Sequence, residues 1–233
     1  MLTLDDLGTA SAPRPSLVED AYRALKEAIR ENVFPPGYQG SEQEIASRLG
    51  MSRTPVHEAV IRLQEEGLVR VLTRRGVVIC TVSPEDMREI YDVTIALEAM
   101  AAELLAGRPE AERRAGVDEL ARANEAMRRA LEHDDLTAWA AADDRFHQAL
   151  IAHSGNGRIA RIAGTIMDQS HRARMLTLRM RPKPARSVAE HEAIIEAIAR
   201  GDAVQAGRQA RDHRIRARDE LIPLLVRLKL RHL

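Results

Sequence analysis

The chain predicts a mainly α protein in two parts: helices closed by a small β-hairpin, then an all-α helical bundle. Two observations carry this expectation. Aromatic residues are only 3% of the 233 residues, while Ala, Leu, Arg and Glu recur throughout, the composition of a largely helical chain. Apolar residues also return at spacings of three and four almost everywhere. The period changes to an alternating, β-branched one only in "LVRVLTRRGVVICTV", residues 68–82.

The remaining composition bounds the class. Apolar residues make up 45% and charged residues 30%, ordinary values for a soluble globular protein with a sizeable core. No run of about 18 apolar residues occurs, and the start carries no cleavable signal pattern. The single cysteine, Cys80, makes no intrachain disulfide and suits a reducing cytoplasm, the expected location. A formal net charge of +0 leaves nucleic acid open, because only a docking face must be positive.

In chain order, residues 1–15 contain "GTASAPRPS" and read as a flexible N-terminal arm. From Leu17 a helical stripe of Ala21, Leu25, Ala28 and Ile29 runs until "NVFPPGYQG" breaks it. Ser41 with Glu44 forms a capping-box pattern for a short helix ending at Gly50. Gly50-Met51 turns the chain into Ser52, which caps a second helix with Pro55 in its first turn and Gly67 at its end. Arg74, Arg75 and Gly76 then sit at the tip of the hairpin. Helix, helix, turn, helix and hairpin is the order of a winged helix-turn-helix over residues 16–82. From Ser83 to residue 233 every segment reads as helix: 83–107, 109–132, 136–153, 158–181, 187–200 and 203–222. Ser187 with Glu190 forms another capping-box pattern.

In the helix from Ser52, residues Val56, Ala59, Val60 and Leu63 share one face. Arg53, Thr54, His57 and Ile61 collect on the other. Exposed side chains near a helix N-terminus meet base edges when the helix enters the major groove. An arginine can grip guanine with two donors, and Thr54 can reach a phosphate or a thymine methyl. Taken alone, such arginines are more often solvated surface charges; the ordered combination with a turn before and a wing after is what singles them out.

"SEQEIASRLGMSRTPVHEAVIRLQEEGLV" followed by "RRG" resembles the N-terminal domain of GntR-family bacterial transcription regulators over roughly residues 16–82. The resemblance implies a homodimer on double-stranded operator DNA, with Gln43, Ser52, Arg53, Thr54, His57, Arg74, Arg75 and Gly76 at the interface. Three positions depart from the family pattern. His57 stands where arginine is usual before Glu58, Gln43 where arginine is frequent, and Ile61 where a basic residue is common.

The second half holds one constellation with chemistry. Asp143 and His147 lie at i and i+4 on one helix face, and His191 and His213 lie on two later helices. A carboxylate and three imidazoles are ligands for Zn, Ni, Mn or a similar divalent metal ion. Singly, an Asp-x-x-x-His pair is more often a surface ion pair. "DDRFHQAL", "SGN", "EHEAIIEAIARGDAVQA" and "RDH" resemble the ligand-binding FCD domain of the FadR-type branch over about residues 83–222. That resemblance implies metal ligands at Asp143, His147, His191 and His213; the i+3 relation of Asp144 to His147 excludes Asp144, and a small organic acid is the expected effector at the coordination positions that four ligands leave open. Thr94 stands where an arginine is frequent, so Arg172 is the expected effector-binding residue, with Arg174 as a second candidate.

Three functions are then open. The first is a DNA-binding regulator, a repressor, whose operator affinity responds to a carboxylate held at a metal site; it is not an enzyme. The second is a metal-dependent helical hydrolase using the His133-Asp134 dipeptide, although that pair falls at a helix break. The third is a DNA-binding dimer with no effector. If His57 reaches a phosphate, His57→Arg steepens the slope of log affinity against log salt by about one unit per half-site; an unchanged slope and unchanged operator preference mean His57 does not touch DNA.

Overall fold

The computed structural model describes residues 16–180 and 183–228. The expected N-terminal arm, residues 1–15, lies outside the described residues, as does Pro182 of the expected break. The chain divides into two compact units, Met1–Cys80 and Thr81–Leu233.

In the first unit, α1 (Leu17–Arg30) is opened by Ser16, whose hydroxyl accepts the Glu19 N–H. It buries Ala21, Leu25 and Ile29, the stripe read from the sequence. Helix α2 (Glu42–Leu49) starts on Ser41, which accepts the Glu44 N–H at 3.1 Å. The expected capping box is only half formed, because the Glu44 carboxylate instead accepts the Tyr38 hydroxyl at 2.7 Å. Gly50 closes α2 at φ 67°, and Met51 N–H reaches back to the Ala46 carbonyl at 2.9 Å, the glycine-terminated helix end. Helix α3 (Arg53–Glu65) follows Ser52 in extended backbone, but the Ser52 side chain makes no cap bond. Its buried side, Val56, Ala59, Val60 and Leu63, joins Leu25, Ile29, Phe34 and Ile45 in one core.

The wing contains a strand the sequence reading missed. β1 (Gln39–Gly40), β2 (Val69–Leu72) and β3 (Gly76–Ile79) form an antiparallel sheet in the order β1-β3-β2. The first strand is only two residues long and lies in "YQG", a stretch too short and turn-rich to show a period. Pairing of Leu72 with Gly76 leaves a three-residue tip, Thr73 to Arg75, with Arg74 at φ 64°.

The second unit consists, among the described residues, of α4 (Pro84–Ala106), α5 (Glu110–Glu132), α6 (Leu136–His153), α7 (Gly157–Thr177), α8 (Ala185–Ala199) and α9 (Ala203–Arg227). One 3-10 turn, Leu178–Met180, follows α7. Ser83 and Asp86 form a complete capping box at the start of α4. Helix α4 packs mainly against α9, α7 and α6, while α8 packs mainly against α9 and α5. Leu105, Leu120, Phe146, Leu150, Ile194 and Ile198 fill the centre of one cluster. Small residues such as Ala101, Ala102, Ala206 and Ala210 line the same cluster and let backbones approach.

Two helix ends differ from expectation. Helix α8 begins at Ala185 after Pro184, so Ser187 lies inside it and is not a cap. The Ser187 hydroxyl takes a bond from Arg216 Nη2 at 3.1 Å, and Glu190 turns inward to α9. Helix α9 runs through Pro223 to Arg227 rather than stopping at residue 222. A proline in a helix costs about 3 kcal/mol, but the helix on either side is anchored by buried Leu221, Leu224 and Leu225.

Gly76 combines a φ of +87° with a Cβ position only 2.5 Å from the Gly40 carbonyl oxygen. Gly76→Ala therefore destabilises the first unit by roughly 1–2 kcal/mol from the left-handed backbone alone, with the clash against β1 added. Denaturant melting checks this; a loss below about 0.5 kcal/mol would mean that β1 is not paired there.

Candidate functional site

Four helices deliver the titratable side chains in the middle of the second unit. Asp143 and His147 come from α6, His191 from α8, His213 from α9 and Glu98 from α4. All are nearly inaccessible, with His147 and His191 at 0% exposure, Glu98 at 1%, His213 at 3% and Asp143 at 4%. His147, His191 and His213 each place a ring nitrogen within 4.8 Å of the others. His191 Nε2 and His213 Nε2 are 3.2 Å apart. Two imidazoles binding one ion at about 2.0–2.1 Å in tetrahedral geometry bring their nitrogens roughly 3.3 Å apart, so the spacing fits.

The outer nitrogens explain which atoms face inward. His213 Nδ1 lies 2.8 Å from Glu190 Oε2, and His147 Nδ1 lies 2.9 Å from Glu98 Oε2. A carboxylate accepts and cannot donate, so the hydrogen-bonded His213 Nδ1 carries the proton and His213 Nε2 presents a lone pair. Both ring nitrogens of His147 are buried without a hydrogen bond, Nδ1 beside Glu98 and Nε2 beside Asp143. A carboxylate behind an imidazole is the usual support of a metal-binding histidine. Phe146 stacks flat on His191, centroids 3.8 Å apart, and fixes its plane. Burial, then the neighbouring His213 and His147 for the first ring and His147 and Arg214 for the second, push His191 and His213 well below the ordinary imidazole range. Both rings are therefore neutral, the form that ligates.

Asp143 lies at the edge of this set. Its Oδ1 is 3.7 Å from His147 Nε2 and 3.9 Å from His191 Nε2, and its Oδ2 is paired with Arg174 Nη1. Burial alone would raise its carboxyl, but Arg174 and then His147 outweigh that and hold it well below the usual range. Asp144 points elsewhere, to Arg174 Nη2 at 3.2 Å, His171 Nδ1 at 3.5 Å and Gln148 at 2.7 Å.

Two arginines of α7 and one of α9 lie in the core. Arg172 is 1% exposed and Arg174 6% exposed, and Arg174 pairs with Asp143. Arg214, which sequence reasoning missed, donates to both oxygens of Glu98 at 2.7 and 2.5 Å. Burial opposes ionisation of Glu98, yet Arg214 and His147 keep its carboxyl far below the ordinary value. Thr94, on the same helix, satisfies its hydroxyl on the Ile90 carbonyl at 2.8 Å. Glu98 was detectable: at helical spacing from Tyr91 and Ile95 it falls on the buried stripe of α4, where an acid requires a cation. The His133-Asp134 pair does not belong to the site. His133 is the exposed C-cap of α5, bonded to the Arg129 carbonyl, and exposed Asp134 pairs with Lys183.

In the first unit the start of α3 is exposed. Ser52, Arg53, Thr54 and His57 all face solvent, as do Gln43 on α2 and Arg74 and Arg75 at the wing tip, with Gly76 partly covered. Ile61 is also exposed, at 41%. The wing tip is braced by Gln39 Nε2 donating to the Arg75 carbonyl at 2.7 Å. Glu42, a residue without an expected role, accepts from Arg53 Nε at 3.2 Å and lies 2.7 Å from His57 Nδ1.

Residues 17–79 match the family described as bacterial regulatory proteins of the gntR family, and residues 89–216 match the FCD domain. An HTH-type transcriptional regulator in the TAR-I ttuE-ttuC' intergenic region of Agrobacterium vitis is 57% identical over 150 residues, covering 64% of this chain and 87% of that protein. The gluconate operon transcriptional repressor of Bacillus licheniformis is 28% identical over 183 residues, 75% of this chain and 72% of the relative. The solved structure of E. coli McbR/YncC shares the fold, with a TM-score of 0.77 at 20% identity over 92% of this chain and 99% of that one. No helix among the described residues is long and apolar enough to cross a membrane. A GntR-type winged helix-turn-helix followed by an FCD domain makes the chain a member of the GntR family, a DNA-binding transcriptional regulator of the FadR-type branch.

Proposed function

We propose that the protein is a homodimeric repressor whose affinity for operator DNA is set by a small carboxylate bound through a divalent metal ion in the helical unit. The observation that carries the reading is the convergence of the His147, His191 and His213 nitrogens, fully buried and backed by Glu98 and Glu190. Buried imidazole nitrogens gathered within 4.8 Å of one another are what a cation satisfies.

His147, His191 and His213 would hold the ion, with Asp143 as the fourth ligand and Zn, Ni or Mn as the candidate metals. When bound, the metal supplies a Lewis-acidic charge for an anionic oxygen. Glu190 holds the Nδ1 proton of His213 and so keeps its Nε2 available, and Glu98 lies beside His147 Nδ1. Arg174, in contact with Asp143 and Asp144, is the cation best placed to share an effector carboxylate. Arg172 shares its helix and its burial and remains the second candidate. On the DNA side, Arg53, Thr54 and His57 would read bases, and Gln43, Ser52, Arg74, Arg75 and Gly76 would contact the duplex around them. An effector alters operator affinity only by binding two arrangements of the dimer unequally.

Elemental analysis of the purified protein is expected to find a divalent metal, and adding Zn, Ni or Mn to stripped protein raises its melting temperature, by about 2.7 kcal/mol of stability at a hundred times Kd. Glu190→Gln or Glu98→Gln lowers metal affinity by roughly 10–100-fold through loss of ligand support. Absence of metal together with an unmoved melting curve for the wild type would sink the site.

Fluorescence anisotropy on a duplex from the flanking DNA reads the second half of the proposal. Gluconate, citrate or acetate is expected to shift duplex affinity by about 5–150-fold in metal-loaded protein and not in His213→Ala. No shift with any carboxylate would leave a DNA-binding dimer without this effector class.

A further inference from the structure

The reading helix does not present Arg53 and His57 as free side chains. Both are tied to Glu42, in the first turn of α2, whose side chain is only 13% exposed. One carboxylate oxygen lies 2.7 Å from His57 Nδ1, and the other accepts from Arg53 Nε at 3.2 Å. The two reading side chains remain 51% and 67% exposed, so their outer atoms are available to a ligand.

We propose that Glu42 fixes the tautomer of His57, so that its outward Nε2 reads the N4 amino group of a cytosine where an arginine would read a guanine. This rests on α3 being the helix that enters the major groove. The bond from His57, against a smaller opposing effect of burial, holds the Glu42 carboxyl below its usual range, so it is an ionised acceptor. An ionised carboxylate has no proton to give, and contact at 2.7 Å requires the imidazole proton on Nδ1. A neutral imidazole has one N–H. With that spent on Glu42, Nε2 turns a lone pair outward.

Guanine and thymine show only acceptors at their hydrogen-bonding edges in the major groove, so they repel that lone pair. Adenine offers its N6 donor beside the N7 acceptor, which opposes a lone acceptor next to it. Cytosine offers N4–H₂ alone. Arg53 is affected in the opposite sense. Its Nε is engaged, which leaves Nη1 and Nη2 as a fork of donors suited to guanine O6 and N7. One acidic side chain thereby sets two neighbouring readers, one turn apart, to opposite chemistry.

The test is selection of bound sites from a randomised 20-base-pair duplex library by full-length protein at pH 8, above the ordinary imidazole range. Wild type is expected to enrich cytosine at the position that His57→Ala makes indifferent, by about fivefold, the worth of one hydrogen bond. Glu42→Ala should bring that preference below about twofold while keeping the guanine that Arg53→Ala removes. Glu42→Gln, which preserves shape and can turn its amide donor towards Nδ1, serves if Glu42→Ala does not fold and should lose the cytosine in the same way. A merely structural role for Glu42 would weaken all positions together, which overturns the proposal. Guanine enriched at the His57 position by wild type, or cytosine preference unchanged in Glu42→Ala, does so as well. If Arg53→Ala and His57→Ala both leave the selected sequence intact, the failure lies with α3 as the reader.

Discussion

The helical unit is organised around a charge that cannot be left alone. Glu98 sits on the buried stripe of α4, and an unpaired carboxylate there would cost several kcal/mol. Arg214 from α9 meets both its oxygens, and His147 from α6 stands 2.9 Å away. Three helices are thereby set in register by one group. Arg214 directly follows His213, so the pair that neutralises Glu98 also helps fix where the His213 ring lies.

The same logic extends outward from the three imidazoles. Glu190 accepts from Arg216 and faces His213, so α8 and α9 are pinned beside the ring that points inward. Arg174 ties α7 to α6 through Asp143 and Asp144. Each carboxylate therefore has two tasks, neutralising an arginine and orienting an imidazole or bounding the site. Buried polar networks of this kind specify one arrangement when every member is satisfied. Both nitrogens of His147 and Nδ1 of His191 are exceptions, and the proposed metal would satisfy those that face it.

In the winged unit, one acid again serves two basic side chains, although at the surface. Glu42 links α2 to the first turn of α3 through Arg53 and His57. The departure from the family pattern at His57 is therefore not an isolated substitution of a weaker base for arginine. It has a partner on the neighbouring helix, and that partner decides which of its two nitrogens faces outward.

Much of this was legible in the linear chain because helical periodicity, caps and glycine stops are local. The apolar stripes of α1 and α3, the Gly50 turn and the breaks between the later helices follow from residues within a few positions of one another. Likewise, i and i+4 spacing on α6 sufficed to bring Asp143 beside His147. Non-local facts were not legible. The β1 strand exists only because Gln39 and Gly40 find β3 some forty residues later, and α9 continues past Pro223 because buried leucines on both sides hold it. Ser187 and Glu190 matched a cap but answered to Arg216 and His213, because a stronger ionic partner from another helix outcompetes a backbone N–H. By itself, then, the sequence determined the family, the two-part helical order and which histidines are available. Only tertiary packing decided which carboxylates stand behind them, which arginine touches Asp143 and which nitrogen of His57 points out, because those depend on charges brought together from distant positions in the chain.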